Sequence, residues 1–398
     1  MKTITHRTPL GRSLRLKIGL AFSAFILIGA SDATLGVILP GMSAHYHVDK
    51  GTIGLLFICM SIGYIAGSFN NGLLIGRLGN RLFLMCASGI FLLVAMMISI
   101  MPPFFVLAVV YLFLGLSIAM FDAGLNSYIA GLPDNTKLLN YLHAFYGAGA
   151  LLGPAVASSL LALQRGWSSP YIVWGSMSLI LLLGIAFLFK ESAPQHQEKA
   201  PGEGNILTTV LKLRIVWLAA IFLMAYVGTE ISLGSWSYSF LTEERHGATL
   251  ISGWTISGYW FGLMLGRLVL GRVAQRIGDK RLIELCLVGV AISLLIIWTL
   301  PFPLTSAFGL CLAGFSLGPI FPTTIALMSK LVSARLLPTA IGFLASLGSM
   351  GGSLFPWLAG NLAQHIGLWS LLPYVIILTV VQAGLWLILY KQPAVAFE

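Results

Sequence analysis

Charged side chains are scarce in this 398-residue chain. They make up 9% of it, whereas soluble domains carry about 25%. Hydrophobic residues account for 58%, which leaves too few polar side chains to cover a surface in contact with water. The composition therefore excludes a water-soluble protein and predicts one that lies in a lipid bilayer.

Residue sets that carry enzyme chemistry are also missing. The four cysteines lie inside apolar runs and none belongs to a C-x-x-C pair, so they indicate neither a disulfide framework nor a metal site. The sequence has no nucleophile with a matching base, no phosphate-binding loop and no cluster of metal ligands. We expect no catalytic residue, no metal and no organic cofactor, and therefore no enzyme.

Long apolar runs make up most of the chain. A helix needs about 20 residues to cross the hydrocarbon core of a bilayer. Runs of this length are predicted at residues 18–41, 51–75, 82–101, 104–130, 138–163, 170–190, 211–240, 250–274, 282–300, 304–329, 338–363 and 369–390. The predicted fold is an all-α membrane protein with twelve transmembrane helices in two six-helix pseudo-symmetric bundles.

One polar stretch divides the two sets of spans. Residues 191–206 contain proline, glycine and charged residues, which is typical of a flexible linker. We predict an N-terminal bundle at 1–190, this linker at 191–206 and a C-terminal bundle at 207–398.

Lysine and arginine are sorted by membrane side. Of the 23 cations, only Lys50, Arg165 and Arg245 fall on the side opposite to the termini. The bias predicts cytoplasmic termini and a cytoplasmic linker in a multi-pass protein of the inner (plasma) membrane. It also explains the net charge of +10 without nucleic acid. The expected partners are the bilayer and a small-molecule substrate, and the expected state is a monomer.

Two segments recur half the chain apart. Residues 32–36, D-A-T-L-G, match residues 230–234, E-I-S-L-G. Residues 72–81 and 271–280 share the pattern G-x-x-x-x-R-x-G-x-R/K. Parallel six-helix repeats of this kind are a transporter architecture.

The twelve spans, the linker and the repeated loop pattern resemble the major facilitator superfamily. The resemblance implies alternating access around a central cavity, with four loop cations as cytoplasmic gate residues: Arg77, Arg81, Arg276 and Lys280. Gly76 and Gln275 stand where the family usually has an acid, so the usual gate ion pair lacks its acid. Simple topology anchors are the alternative role for these cations.

Three acids, Asp32, Asp122 and Glu230, lie deep inside apolar runs. No lysine or arginine is predicted at that depth, since Arg267 falls near the cytoplasmic end of its span. An acid without a cation in lipid is costly and favours the protonated form, which suits a carrier that loads and releases protons. We predict coupling and proton binding by these three, with sodium as the alternative ion. Hydrogen bonding between helices is the purely structural alternative.

Polar and aromatic residues near these acids are candidates for substrate binding. Asn126 lies four residues after Asp122 and shares its helix face. His143 and Tyr146 lie three residues apart in the next span, and Tyr226 precedes Glu230 by one turn. Further candidates in the second half are Trp236 and Tyr259. Each of these also suits ordinary packing or an interhelical hydrogen bond.

Local matches narrow the resemblance. Asp32 with Asp122 resembles the fucose:proton symporter branch, in which acids in those spans serve coupling and substrate binding. The runs at 122–126 and 142–150 resemble the sodium-dependent glucose transporter-like proteins. Glu230 has no counterpart in the fucose pattern.

These features predict a secondary active transporter for proton-coupled uptake of a neutral polar solute such as a monosaccharide. The absence of a deep cation disfavours anionic substrates. The alternative is a proton-coupled exporter of lipophilic or cationic compounds of the multidrug type. A receptor or a lipid carrier is a third possibility.

Overall fold

The structure is a computed structural model that describes residues 12–132, 135–189, 203–333 and 335–391. Within these ranges the chain is helical with short turns and has no strand. The first half contains α1 (Arg12–Tyr46), α2 (Lys50–Ser99), α3 (Phe104–Ala130), α4 (Asn135–Ala162) and α5 (Ser169–Leu188). Asp49 caps α2 by accepting the Thr52 N–H at 2.6 Å, and this bond holds the pKa of the carboxyl below its ordinary value.

The second half begins with the short helix α6 (Glu203–Leu211). The long helices that follow are α7 (Arg214–Ser239), α8 (Thr249–Ile277), α9 (Asp279–Thr299), α10 (Pro303–Leu317), α11 (Ile320–Leu331), α12 (Leu337–His365) and α13 (Leu371–Leu389). A π-helical turn, Phe240–Glu244, extends α7. The last four residues of the predicted linker 191–206 are thus helical, and its first twelve lie outside the described residues.

The predicted fold class is confirmed. Ten helical segments in the described part of the chain are long and apolar enough to cross a membrane, and α10 with α11 counts as one of them, Pro303–Leu331. One of them, α2, consists of two helices that meet at Gly79, where the backbone leaves the helical conformation with a φ of 72° that favours glycine, so α2 accounts for two spans. The 29-residue α8 is not among the ten, and it covers the remaining predicted span, 250–274. The predicted domain boundaries stay a prediction.

Helices α1 and α4 pack closely because small residues line their contact. A Cβ on Gly29 would overlap the backbone of Tyr146, whereas a Cβ on Gly19 of the same helix would meet nothing within 4 Å. This contact sets the distance between the two helices.

We expect Gly29→Ala to lower the free energy of unfolding by about 1–3 kcal/mol, since the extra methyl forces the helices apart. Gly19→Ala is the matched control and should leave stability unchanged or slightly raised. The measurement is an unfolding titration with sodium dodecyl sulfate in mixed micelles. Equal stability of the two variants would contradict the close packing of α1 on α4.

The two halves meet through three helix pairs: α1 with α7, α2 with α12, and α4 with α8. Gly36 packs against the backbone of Gly234 and Ser235. At the end opposite to the termini, Lys50 Nζ lies 2.8 Å from Glu243 Oε2, and the Lys50 N–H donates to Gln364 Oε1 at 3.1 Å. The contacts from Gly36 outward therefore join the halves at the end opposite to the termini.

Candidate functional site

The first deep acid, Asp32 on α1, faces α4. Tyr146 donates its hydroxyl to Asp32 Oδ2 at 3.1 Å. The glycines of the α1–α4 contact bring the two backbones close enough for this bond. Asp32 Oδ1 is buried and has no hydrogen-bond partner among the described residues. One oxygen of this carboxyl is thus held by a neutral group, and the other has none.

The second acid, Asp122 on α3, has two neutral hydrogen-bond donors. Tyr64 of α2 donates to Asp122 Oδ2 at 2.9 Å, and Asn126 Nδ2 donates to Asp122 Oδ1 at 2.7 Å. The helix-face argument from the sequence therefore places Asn126 correctly beside Asp122. No lysine or arginine of the described residues forms a salt bridge with Asp32 or Asp122.

The third acid, Glu230 on α7, differs from the other two. Arg267 Nη2 of α8 lies 3.5 Å from Glu230 Oε1, and Arg267 Nε donates to the Gly318 carbonyl at 3.3 Å. The prediction that all three acids lack a cation is therefore wrong for Glu230. The long arginine side chain carries its charge to the depth of the acid although its backbone lies nearer the end of α8.

These groups form one central cluster, defined as Tyr64, Asp32, Asp122, Asn126, His143, Tyr146, Glu230 and Arg267. Tyr146 lies where the halves meet: its hydroxyl donates to Asp32 in the first half, and Glu230 and Arg267 of the second half are near it. His143 is exposed, packs edge-on to Phe25 at 5.5 Å, and lies close enough to Asp122 and Arg267 for their charges to interact.

The remaining substrate-binding candidates are buried in the second half. Tyr226 lies beside Glu230 and Arg267. Tyr259 donates its hydroxyl to the Glu230 backbone carbonyl at 2.8 Å and so holds α8 against α7. Trp236 lies away from the central cluster, where its indole N–H donates to the Pro356 carbonyl at 2.8 Å. Contact between a substrate and any of the three stays a prediction.

Comparison with known proteins decides the family. The family model described as Major Facilitator Superfamily matches residues 21–252 and 218–396. The chain belongs to the major facilitator superfamily.

Similar members of the superfamily include sugar transporters. The glucose/mannose transporter GlcP of Bacillus subtilis (strain 168) is 23% identical, over 90% of this chain and 88% of that protein. Sodium-dependent glucose transporter 1 of Danio rerio is 25% identical, over 97% of this chain and 71% of that protein. The predicted resemblance to the glucose and fucose branch is confirmed, and the chain is a transporter rather than an enzyme.

A solved structure shares the fold. The crystal structure of the nucleoside transporter NupG superposes with a TM-score of 0.79 at 16% identity, over 96% of this chain and 99% of that one. At this identity the likeness shows the superfamily fold alone.

The four loop cations predicted as gate residues lie at the end of the molecule that carries the termini. Arg77 and Arg276 are exposed. Arg81 donates to the Ala186 carbonyl at 2.8 Å, and Lys280 lies over the Tyr390 ring at 4.4 Å, each within its own half. A gate role for these residues stays a prediction. Within the described ranges no group of three or more His, Cys, Asp or Glu could hold a metal ion.

Sequence reasoning missed two members of the central cluster. Tyr64 is one tyrosine in an apolar run, and no spacing rule links it to an acid 58 residues away. Arg267 gave a usable signal, because it interrupts the apolar stretch 259–270, but its partner is 37 residues away on another helix. Only helix packing brings these pairs together.

Proposed function

We propose that this superfamily member takes up a neutral polar solute, such as a monosaccharide, together with protons. One observation carries the proposal: Asp32 and Asp122 are hydrogen-bonded by neutral groups, whereas Glu230 is paired with Arg267. A carboxyl held by hydroxyl and amide donors can exist with or without a proton, while a carboxylate beside arginine keeps its charge.

The two aspartates are the proton carriers in this scheme. Each accepts a hydrogen bond when ionised, from Tyr146 or from Tyr64 and Asn126. Once protonated, the same carboxyl can donate a hydrogen bond to a solute hydroxyl. Binding of proton and solute then favour each other, which is the coupling that uptake against a gradient requires.

A neutral solute suits the charges of the central cluster. The opposite charges of Arg267 and Glu230 neutralise each other, so neither requires a charged ligand as a partner. The amide of Asn126, the hydroxyl of Tyr146 and the imidazole of His143 offer donors and acceptors on the first-half side. The relatives described above as glucose and mannose transporters support a sugar. The presence of Arg267 also removes the sequence-based argument against anions, so the test includes them.

The arrangement of the halves fits one state of the transport cycle. Contacts from Gly36 outward to Lys50 and Glu243 join the halves at the end opposite to the termini. With cytoplasmic termini, as the lysine and arginine bias predicts, closure at this end corresponds to the state of the cycle that is open to the cytoplasm. That conformation would release solute and protons into the cell. We further propose the inner (plasma) membrane as its location and a monomer as its working unit.

Purified protein in liposomes with an internal pH dye tests the proposal. Hexoses, aromatic carboxylates and lipophilic cations are added outside in separate runs, with and without sodium. We expect hexose addition to acidify the lumen without sodium. Alkalinisation of the lumen on addition of a lipophilic cation, which enters in exchange for protons that leave, would instead establish the multidrug-type exporter. Solute entry that needs sodium and moves no protons would overturn proton coupling.

A further inference from the structure

A second polar site lies outside the central cluster, at the end of the second half that carries the termini. It is a cavity of about 380 Å³ between the start of α9, the end of α11 and the end of α13. Three cations line it, Lys280, Arg281 and Lys330, together with Asp279 and Tyr390. Transport as proposed above uses none of their charges in solute binding.

The acids near this cavity neutralise only some of its cations. Lys330 Nζ lies 2.5 Å from Asp279 Oδ2, and Lys280 Nζ lies 4.0 Å from Glu284 Oε1. Arg281 is exposed and forms no salt bridge among the described residues. The backbone N–H groups at the start of α9 add the positive potential of a helix N-terminus. Gly278, which precedes them, has no side chain that could accept their hydrogen bonds. The site therefore favours an anion.

The surface below the cavity is apolar and faces the bilayer. Arg281 begins a stripe along α9 at helical spacing, with Leu285, Val288, Ile292 and Leu295, of which Leu285 is 61% exposed. On the adjoining helix α13, Leu387 and Ile388 are exposed as well. A charged group at the cavity would thus stand at the top of a surface that accepts acyl chains.

The first half provides an internal comparison. By the repeat, Asp279, Lys280 and Arg281 correspond to Asn80, Arg81 and Leu82. Arg81 donates to the Ala186 carbonyl, and Leu82 places an apolar side chain where Arg281 stands. The charged site is therefore a feature of the second half and not of the repeat.

We propose that this cavity binds the headgroup phosphate of an anionic phospholipid, with the acyl chains along the α9 stripe. Arg281 and Lys280 contact the phosphate, and the start of α9 adds its backbone donors. Lys330 neutralises Asp279, which would otherwise repel the anion.

Native mass spectrometry of the purified full-length chain in detergent tests the proposal. Phosphatidylglycerol and phosphatidylcholine are added separately at equal concentration. We expect tighter binding of phosphatidylglycerol, and about a fivefold loss of its affinity for each removed charge in Lys280→Gln and Arg281→Gln. Arg214→Gln is the matched control, because Arg214 is an exposed cation at the same end of the molecule and outside the cavity.

Competition with inorganic phosphate separates a lipid site from a simple anion site. We expect phosphate in large excess to displace little phosphatidylglycerol, because the acyl chains also bind. Full displacement would overturn the lipid assignment in favour of a free anion. Equal affinity for the two lipids would overturn the site itself. The same holds if Arg214→Gln loses as much phosphatidylglycerol affinity as the double variant Lys280→Gln/Arg281→Gln. A melting curve for each variant verifies that the surface changes leave folding intact.

Discussion

Asp32→Asn is expected to reduce proton-driven accumulation of solute to the level of protein-free liposomes. The amide oxygen can still accept the Tyr146 hydroxyl hydrogen bond, so folding and the α1–α4 contact should persist. The amide cannot take up and release a proton, which removes the coupling step. Exchange of labelled for unlabelled solute at equal concentrations should continue, because it needs no net proton movement.

The matched control for this variant is Glu244→Gln. Glu244 is an exposed acid in the turn after α7, and its replacement removes the same charge outside the central cluster. Accumulation by this control should equal that of the parent protein. If Asp32→Asn still accumulates solute, Asp32 does not couple transport to protons. Asp122→Asn would then be tested for that role. Loss of exchange in Asp32→Asn would indicate a role in solute binding instead.

Arg267→Met is expected to lower the free energy of unfolding by about 2–3 kcal/mol. The change leaves Glu230, which is 8% exposed, as an unpaired acid. Breaking a fully buried ion pair costs about 3–5 kcal/mol. The smaller figure applies here because the Arg267 side chain is 36% exposed and the pair is 3.5 Å apart. Glu230→Gln leaves Arg267 unpaired and should lower the free energy of unfolding by less, since the Arg267 side chain reaches water.

The double variant Glu230→Gln/Arg267→Met separates pairing from charge. Most of the lost stability should return, because no unpaired charge remains in the second half. Unfolding titrations of the parent, both single variants and the double variant give the coupling energy. Arg214→Gln is the surface control and should cost at most about 0.5 kcal/mol, because Arg214 is exposed and lies outside the central cluster. Additive losses in the double variant would show that the two side chains do not stabilise each other.

The sequence is sufficient for the membrane-spanning helices because their length and apolar composition are local properties. The twelve runs and the acids within them can be read from the sequence without knowledge of packing. The sequence also places Asn126 beside Asp122 correctly, since residues four apart share a helix face. The gap between the predicted spans 51–75 and 82–101 contains Gly79, where the two helices of α2 meet.

Partners on different helices are beyond such reasoning. The Tyr64–Asp122 and Glu230–Arg267 pairs depend on the rotation and depth of two packed helices. An arginine side chain spans about one helical turn. An error of one turn in the estimated depth of Arg267 is therefore enough to exclude it wrongly as a partner for Glu230. Trp236 is a further example: its indole N–H donates to the Pro356 carbonyl, 120 residues away in the sequence, and no spacing rule links the two.

The Glu230–Arg267 pair governs how the membrane voltage acts on the proposed cycle. Because the pair sums to zero, its movement with the second half transfers no net charge through the electric field. Asp32 and Asp122 then carry the variable charge: neutral when loaded with protons, negative when empty. Each elementary charge moved across 100 mV corresponds to about 2.3 kcal/mol. A cell interior at negative potential would therefore drive the return of the empty carrier to its outward-facing state, so the voltage would act on the return step and not on the loaded one.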